Sequence, residues 1–85
     1  MQLEILTPSQ HVYSGKVNLV KVPGSSGSFE ILKNHAPIIS ALTDGELKVA
    51  TEAGETMRYM THGGVVEVHD NLIVVLVESI AANNK

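Results

Sequence analysis

Val65-Val66-Glu67-Val68-His69-Asp70-Asn71-Leu72-Ile73-Val74-Val75-Leu76-Val77 sets two apolar runs on either side of Asp70-Asn71, two residues that tolerate positive φ. Read as a two-residue turn, that pair brings His69 opposite Leu72, Val68 opposite Ile73, Glu67 opposite Val74 and Val66 opposite Val75. In this register Val66, Val68, Ile73, Val75 and Val77 share one face, and its uniformly apolar character makes it the core side. The other face carries Val65, Glu67, His69, Leu72, Val74 and Leu76, which is more apolar than a solvated face needs. Two readings of it stand. Scattered exposed aliphatics are common on any protein surface, and a contiguous patch is what a partner covers.

The same alternation extends outward from this hairpin. Leu3 and Ile5 alternate with Gln2 and Glu4. Leu47 and Val49 alternate with Glu46, Lys48 and Ala50, and Met57, Tyr59 and Thr61 with Arg58, Met60 and His62. Turn-forming residues punctuate the chain at Pro8, Gly15, Pro23-Gly24, Gly27, Pro37, Gly45, Gly54, Gly63-Gly64 and Asp70-Asn71. Turn signals spaced by about ten residues predict an all-β sandwich or barrel. No window has the 3.6-residue period of an amphipathic helix; Ser79 to Asn83 could form one helical turn, too short to stand alone.

Composition bounds the rest. Eighty-five residues make one domain, 1–85, and the 44% hydrophobic content supplies one compact core. Cysteine is absent, so neither a disulfide nor a thiolate metal site supplements that core. Six basic residues are scattered among nine acidic ones for a net charge of −3, and the aromatics are only Tyr13, Phe29 and Tyr59. Nucleic-acid binding wants a basic stripe and stacking rings, and the sequence offers neither. The N-terminus lacks the basic and apolar regions of a signal peptide. The apolar run Leu72–Val77 is far short of the roughly 20 residues that span a bilayer.

Chemistry is equally sparse. His11, His35, His62 and His69 show no metal-ligand spacing, with His62 and His69 read as lying on consecutive strands. No serine sits in a G-x-S-x-G elbow. Thr43-Asp44-Gly45-Glu46 reads as a turn rather than a carboxylate pair. Gly24-Ser25-Ser26-Gly27-Ser28 lacks the lysine and following helix of a phosphate loop. These exclusions predict no catalytic residue, cofactor or metal.

Gly27-Ser28-Phe29-Glu30-Ile31-Leu32-Lys33-Asn34-His35-Ala36-Pro37 reads as a short strand, a polar corner and a proline that opens the next strand. Asn34 can take a left-handed turn position, and Pro37 pushes Ala36 toward extended geometry. The stretch also resembles the G-x-x-G-I-L-P-G-H-A-P motif of the epsilon subunits of F-type ATP synthases. Glu30, Lys33 and Asn34 stand where that family usually has glycine, proline and glycine. The resemblance continues through Ile5-Leu6-Thr7-Pro8 with Val12-Tyr13-Ser14-Gly15, and through Val20-Lys21-Val22-Pro23-Gly24. It then takes in Leu42-Thr43-Asp44-Gly45-Glu46-Leu47-Lys48-Val49, His62-Gly63-Gly64-Val65-Val66-Glu67-Val68 and Leu72–Glu78.

The resemblance implies a flattened β-sandwich of about ten short strands, the N-terminal domain of such a subunit. It implies a non-catalytic central-stalk rotor part that links the gamma subunit to the c-ring and couples proton translocation to ATP synthesis. The alpha/beta head is reached through the complex. The location implied is peripheral, on the cytoplasmic face of the inner (plasma) membrane, without direct insertion. Ser28, Glu30, Asn34 and His35 are the expected c-ring edge, and Thr7 and Ser40 the expected gamma side. Many family members continue into a two-helix hairpin; this sequence ends at Asn83-Asn84-Lys85, so no nucleotide site or inhibitory arm is carried over. The alternative is a lipoyl- or biotinyl-type carrier domain with Lys33 as the attachment site, although no Met-Lys-Met or Asp-Lys-Ala context surrounds it.

Overall fold

The computed structural model describes residues 1–83, and among these the chain forms seven strands and no helix. They are β1 (Gln2–Leu6), β2 (His11–Val22), β3 (Phe29–Leu32), β4 (Ile38–Leu42), β5 (Gly45–Thr51), β6 (Thr56–His69) and β7 (Leu72–Ala82). The hairpin expected from the closing sequence is present in the expected register, from His69 opposite Leu72 to Val66 opposite Val75. Asp70 and Asn71 both have positive φ, at 50° and 60°. Two consecutive left-handed residues are what a type I′ turn requires, and that turn's twist matches the strands it joins.

Pairing runs in a closed circuit. β1 lies parallel to β7, and antiparallel pairs then lead from β7 to β6, β5, β2 and back to β1. β3 adds to β2, and β4 adds to β6. The long strands serve both layers. His11–Lys16 of β2 pairs with β1, whereas its Val17–Val22 half pairs with β5 and β3. Likewise Thr56–Thr61 of β6 pairs with β5, whereas its Gly64–Val68 half pairs with β4. One layer therefore holds β3, the second half of β2, β5, the first half of β6 and the second half of β7. The other holds β4, the second half of β6, the first half of β7, β1 and the first half of β2. The Cα extents are 27 × 26 × 24 Å, so the sandwich is only slightly flattened.

Between the layers sit Leu3, Ile5, Val17, Val20, Val22, Ile31, Leu47, Val49, Val66, Val68, Ile73 and Val75, all essentially inaccessible. Most are β-branched, as suits a pleated and buried surface. Among the described residues no buried side-chain nitrogen or oxygen lacks a hydrogen-bond partner.

The bends explain why seven strands stand where about ten were expected. β2, β6 and β7 run for 12, 14 and 11 residues, each doing the work of two short strands. Gly15 lies inside β2, opposite Leu3, with the Tyr13 ring over it rather than at a turn. Gly63 and Gly64, at φ 58° and 135°, kink β6 without ending it. Across that kink the inward set changes phase, from Thr61 on one side to Val66 and Val68 on the other. A register shift between Val17 and Leu19 does the same for β2, whose buried residues pass from Val17 to Val20 and Val22. Ser79 to Asn83 is not helical: β7 continues to Ala82, with Ile80 opposite Thr61 and Ala82 opposite Tyr59. The unpaired backbone of β6 in this stretch offers more hydrogen bonds to a strand than one helical turn could satisfy internally. His62 and His69 lie on the same strand, β6, and not on consecutive ones.

A Cβ on Gly64 would lie 2.1 Å from the Leu76 carbonyl oxygen and 2.9 Å from the Val77 Cα, whereas one on Gly63 meets only Glu78 Cγ at 3.9 Å. Gly63→Ala is expected to cost about 1–2 kcal/mol for its left-handed φ alone. Gly64→Ala should cost at least about 3 kcal/mol, because backbone must move as well. Urea unfolding of the two variants side by side measures the difference.

Candidate functional site

One end of the sandwich is built around Asn71. Its Oδ1 accepts from the Asn34 backbone N–H at 2.7 Å, its Nδ2 donates to Asn34 Oδ1 at 3.1 Å, and its carbonyl accepts from the Gln2 N–H at 2.9 Å. A single residue thus joins the β6–β7 turn to the β3–β4 corner through its side chain and to the start of β1 through its backbone. Asn34 sits at φ 64°, the left-handed position expected of it. The His35 N–H closes the corner on the Leu32 carbonyl at 3.1 Å. His35 Nδ1 lies 2.7 Å from the Ala36 carbonyl, which only accepts, so Nδ1 carries the proton.

The residues expected at the c-ring edge are strung along one margin and do not meet at one point. Asn34 and His35 come together at the Asn71 end. Ser28 lies beyond the other end of β3, beside Pro23–Gly24 and Thr43–Gly45. The two groups are separated by roughly 13 Å, the length of a four-residue strand. Between them Glu30 is a strand residue, exposed and opposite Lys21, while its neighbour Ile31 points into the core. Because β3 pairs only with β2, all four residues border an open edge of the sheet.

Thr7 and Ser40 occupy different settings. Thr7 closes the β1–β2 turn, its N–H donating to the Gln10 carbonyl at 2.9 Å and its Oγ1 accepting from the Gln10 N–H at 3.2 Å. Ser40 is half-buried on β4, in the inward row with Ile38 and Leu42, and its hydroxyl donates to the Ala41 carbonyl at 3.3 Å. Between them the outer face of this layer crosses β4, β6, β7 and β1. The row Ala41–Val65–Leu76–Leu6 is apolar from end to end, and the next row is Ile39–Glu67–Val74–Glu4. Ile39 is 71% exposed, and Leu72 and Leu76 are also open to solvent. A shallow groove of about 580 Å³ lies at this face, lined by Pro37, Ile38, Ile39, Glu67, His69 and Leu72 among others. The outer face of the closing hairpin is therefore a contiguous patch and not isolated aliphatics.

A second polar cluster, which the sequence did not signal, centres on Glu4. Its Oε2 accepts from Gln2 Nε2 at 2.6 Å and Ser14 Oγ at 2.7 Å, and its Oε1 lies 2.8 Å from His11 Nε2. The hydrogen bond from Ser14, followed by that from Gln2, holds the Glu4 carboxyl below its ordinary pKa, and His11 adds to the effect. The order of contacts rules out an activated serine, because Ser14 donates to the carboxylate and not to the imidazole. Burial, then Tyr13, pushes the Tyr59 phenol upward, so it stays neutral. Among the described residues no three His, Asp or Glu side chains converge as a metal site. Lys33 is exposed at the β3–β4 corner, and those two strands pair with β2 and β6 rather than with each other. It is therefore not at the tip of a hairpin, which a swinging-arm attachment needs.

The family described as the ATP synthase delta/epsilon chain beta-sandwich domain matches residues 1–83. The ATP synthase epsilon chain of Pelotomaculum thermopropionicum is 40% identical over 75 residues, which are 88% of this chain and 55% of that protein. The chain thus spans little more than half of that relative. The epsilon chain of Chlorobaculum tepidum is 34% identical over 79 residues, covering 93% of this chain and 90% of that protein. A chain of the mitochondrial ATP synthase of Euglena gracilis, solved with OSCP, F1 and c-ring, superposes with a TM-score of 0.85. It is 19% identical and covers 94% of this chain and 51% of the other, a likeness of fold alone.

Two outcomes test this geometry. Asn71→Gly keeps the left-handed backbone but loses both side-chain bonds, and should cost about 1–2 kcal/mol. Hydrogen exchange at Asn34 should speed up at the same time. Glu4→Gln should be less stable than the parent at pH 7. Because the folded-state pKa of Glu4 is lowered from 4.5, the parent's advantage is complete above that value. It disappears as pH falls below 4.5 and through the folded pKa, so the two proteins should converge in thermal unfolding at acid pH.

Proposed function

The chain belongs to the ATP synthase delta/epsilon family of β-sandwich domains, and we propose that it serves as a central-stalk rotor subunit between gamma and the c-ring. The observation that carries this reading is the family match over residues 1–83, joined to a relative of nearly the same length in Chlorobaculum tepidum, itself an ATP synthase epsilon chain. In this role the chain carries torque and does no chemistry, the catalytic work lying in the alpha/beta head. It holds no cofactor. Its attachment to the membrane is peripheral, through the complex, on the cytoplasmic face; no helix of the described residues is long and apolar enough to cross a bilayer.

The gamma subunit docks on the apolar face of β4, β6, β7 and β1. Support comes from the row Ala41–Val65–Leu76–Leu6, apolar from end to end, with Thr7 following Leu6; Ser40 adjoins Ala41 along the chain, its own side chain turned inward. The c-ring takes the β3 margin with Ser28, Glu30, Asn34 and His35. These four side chains are polar, and Ser28, Glu30 and Asn34 are exposed, as suits the polar loops of a ring. A body transmitting torque must resist shear, and a closed circuit of strands has few free edges along which to slip.

Native mass spectrometry of the synthase released from membranes should find this chain with gamma and the catalytic subunits; its absence would overturn the assignment. Ile39→Glu with Leu72→Glu should abolish association with gamma while leaving the thermal transition in place, since both side chains are already exposed. Charge reversal at Glu30 or Lys33 should reduce ATP-driven proton pumping without unfolding the sandwich. Unchanged pumping would remove those residues from the ring contact.

A further inference from the structure

The other outer face, that of β3, β2, β5 and β6, carries a pattern the rotor reading does not use. Lys21 stands directly opposite Lys48, and Lys48 directly opposite Arg58, so three cations cross three adjacent strands in one row. Half of the chain's six basic side chains are therefore aligned on one face of a protein whose net charge is −3. Along the row, neighbours are about 4.8 Å apart, one strand spacing. Like charges opposite each other weaken a sheet, so the arrangement opposes the stability of the isolated domain.

Neutralisation within the chain is partial. Arg58 Nη1 pairs with Glu46 Oε1 at 2.9 Å, and Glu46 is further held by Asn83 Nδ2 at 3.1 Å. Glu30 lies opposite Lys21 at the far end of the row, without an ion pair among the described residues. Lys48, in the middle, has a cation on each side. The next row, about 7 Å away, is Leu32–Leu19–Ala50, with Leu32 half exposed. A cation row beside an apolar row is the complement of one chemistry: an amphipathic segment with acidic residues along one border of its apolar stripe.

We propose that this face docks an acidic amphipathic helix of a partner protein, lying across the strands with its apolar stripe on Leu19 and Leu32 and its carboxylates on Lys21, Lys48 and Arg58. Helical residues at i, i+3 and i+7 rise by roughly 4.5 and 10.5 Å, close to the one and two strand spacings of the row. The sequence separates these three cations by ten or more residues, so only the pairing of β2, β5 and β6 creates the site. The surface is distinct from the gamma-facing side but shares Glu30 and Leu32 of β3 with the ring-facing margin, so its test is read at Lys48 of β5, which that margin does not include.

The test uses the 85-residue chain and a synthetic helical peptide of about 15 residues, with a leucine stripe bordered by glutamates at i, i+3 and i+7. A twin peptide carries lysine at those positions. Fluorescence anisotropy should show binding of the acidic peptide only, weakened by salt. Lys48→Glu should weaken binding by about tenfold or more, and Leu32→Ser should also weaken it, whereas Ile39→Ser should not. Lys48→Glu should also raise Tm, because it replaces two repulsions by two attractions; a merely structural lysine would give a fall. Lys48→Gln provides the same binding comparison should the reversal fail to fold. Equal binding by Lys48→Glu or Lys48→Gln would overturn the proposal. So would peptide-induced amide shifts on the Ile39–Leu72 face, or capture by phosphatidylglycerol vesicles in place of the peptide.

Discussion

The backbone of β6 at Gly64 passes so close to the Leu76 carbonyl that no side chain fits between them, and the architecture rests on that approach. It lets one strand leave β5 and join β4, so that β6 belongs to both layers. Asp44 holds the bend from outside: its Oδ1 accepts from the Gly63 N–H at 2.9 Å, in the short gap between β4 and β5. Partners β4 and β5 keep one continuous register along β6, Leu42 opposite Gly64 and Gly45 opposite Thr61. The kink therefore reorients the strand without losing ladder hydrogen bonds elsewhere. The inward set changes phase there, and β7 follows from Val77 to Ile80 directly across. Bent strands allow a short chain to close its sheet around a core of small branched side chains, where separate short strands would need more turns and lose more conformational entropy.

A closed body of this kind leaves its outer surfaces free for contacts. The polar cluster around Glu4 lacks the order of groups that chemistry requires: Glu4 gathers Gln2, Ser14 and His11 around a carboxylate, and its lowered pKa marks a satisfied acceptor. What the molecule offers instead is a division of surface. One layer presents an apolar field between Thr7 and Ser40; the other presents cations beside leucines; and the β3 margin between the layers is polar. These surfaces differ in what they would bind because strand alternation separates inward from outward residues, whereas cross-strand pairing decides which outward residues become neighbours.

Local rules were sufficient where one interaction dominated. Asp70-Asn71 could serve as a two-residue turn, and once that was granted the register of Val66, Val68, Ile73 and Val75 followed from alternation alone. Glycine and proline were less transparent, because the same residue marks a turn, a kink or a close approach. Gly45 begins a strand after a turn, as punctuation suggests, but Gly15 accommodates the Tyr13 ring within β2 and Gly63-Gly64 bends β6. Reading each as a break multiplied the strands. Ser79–Asn83 was ambiguous for a different reason: its only periodicity is the pairing offered by β6, which local sequence does not contain. The corner residues Asn34 and His35 were recognisable as corner-formers, yet their tie to Asn71 spans 37 positions of chain.

By itself, then, the sequence determined the class of fold, the inward faces of its strands and, through the spacing of its motifs, the family. Those properties depend on periodicity and turn chemistry, which act over a few residues. The tertiary structure alone decided that three strands would bend to serve both layers and that Thr7 and Ser40 would bracket one apolar field. It also decided that Lys21, Lys48 and Arg58 would stand in a row. Each of these depends on which strands become neighbours, a choice made by closing the core and unreadable from charges and glycines taken in linear order.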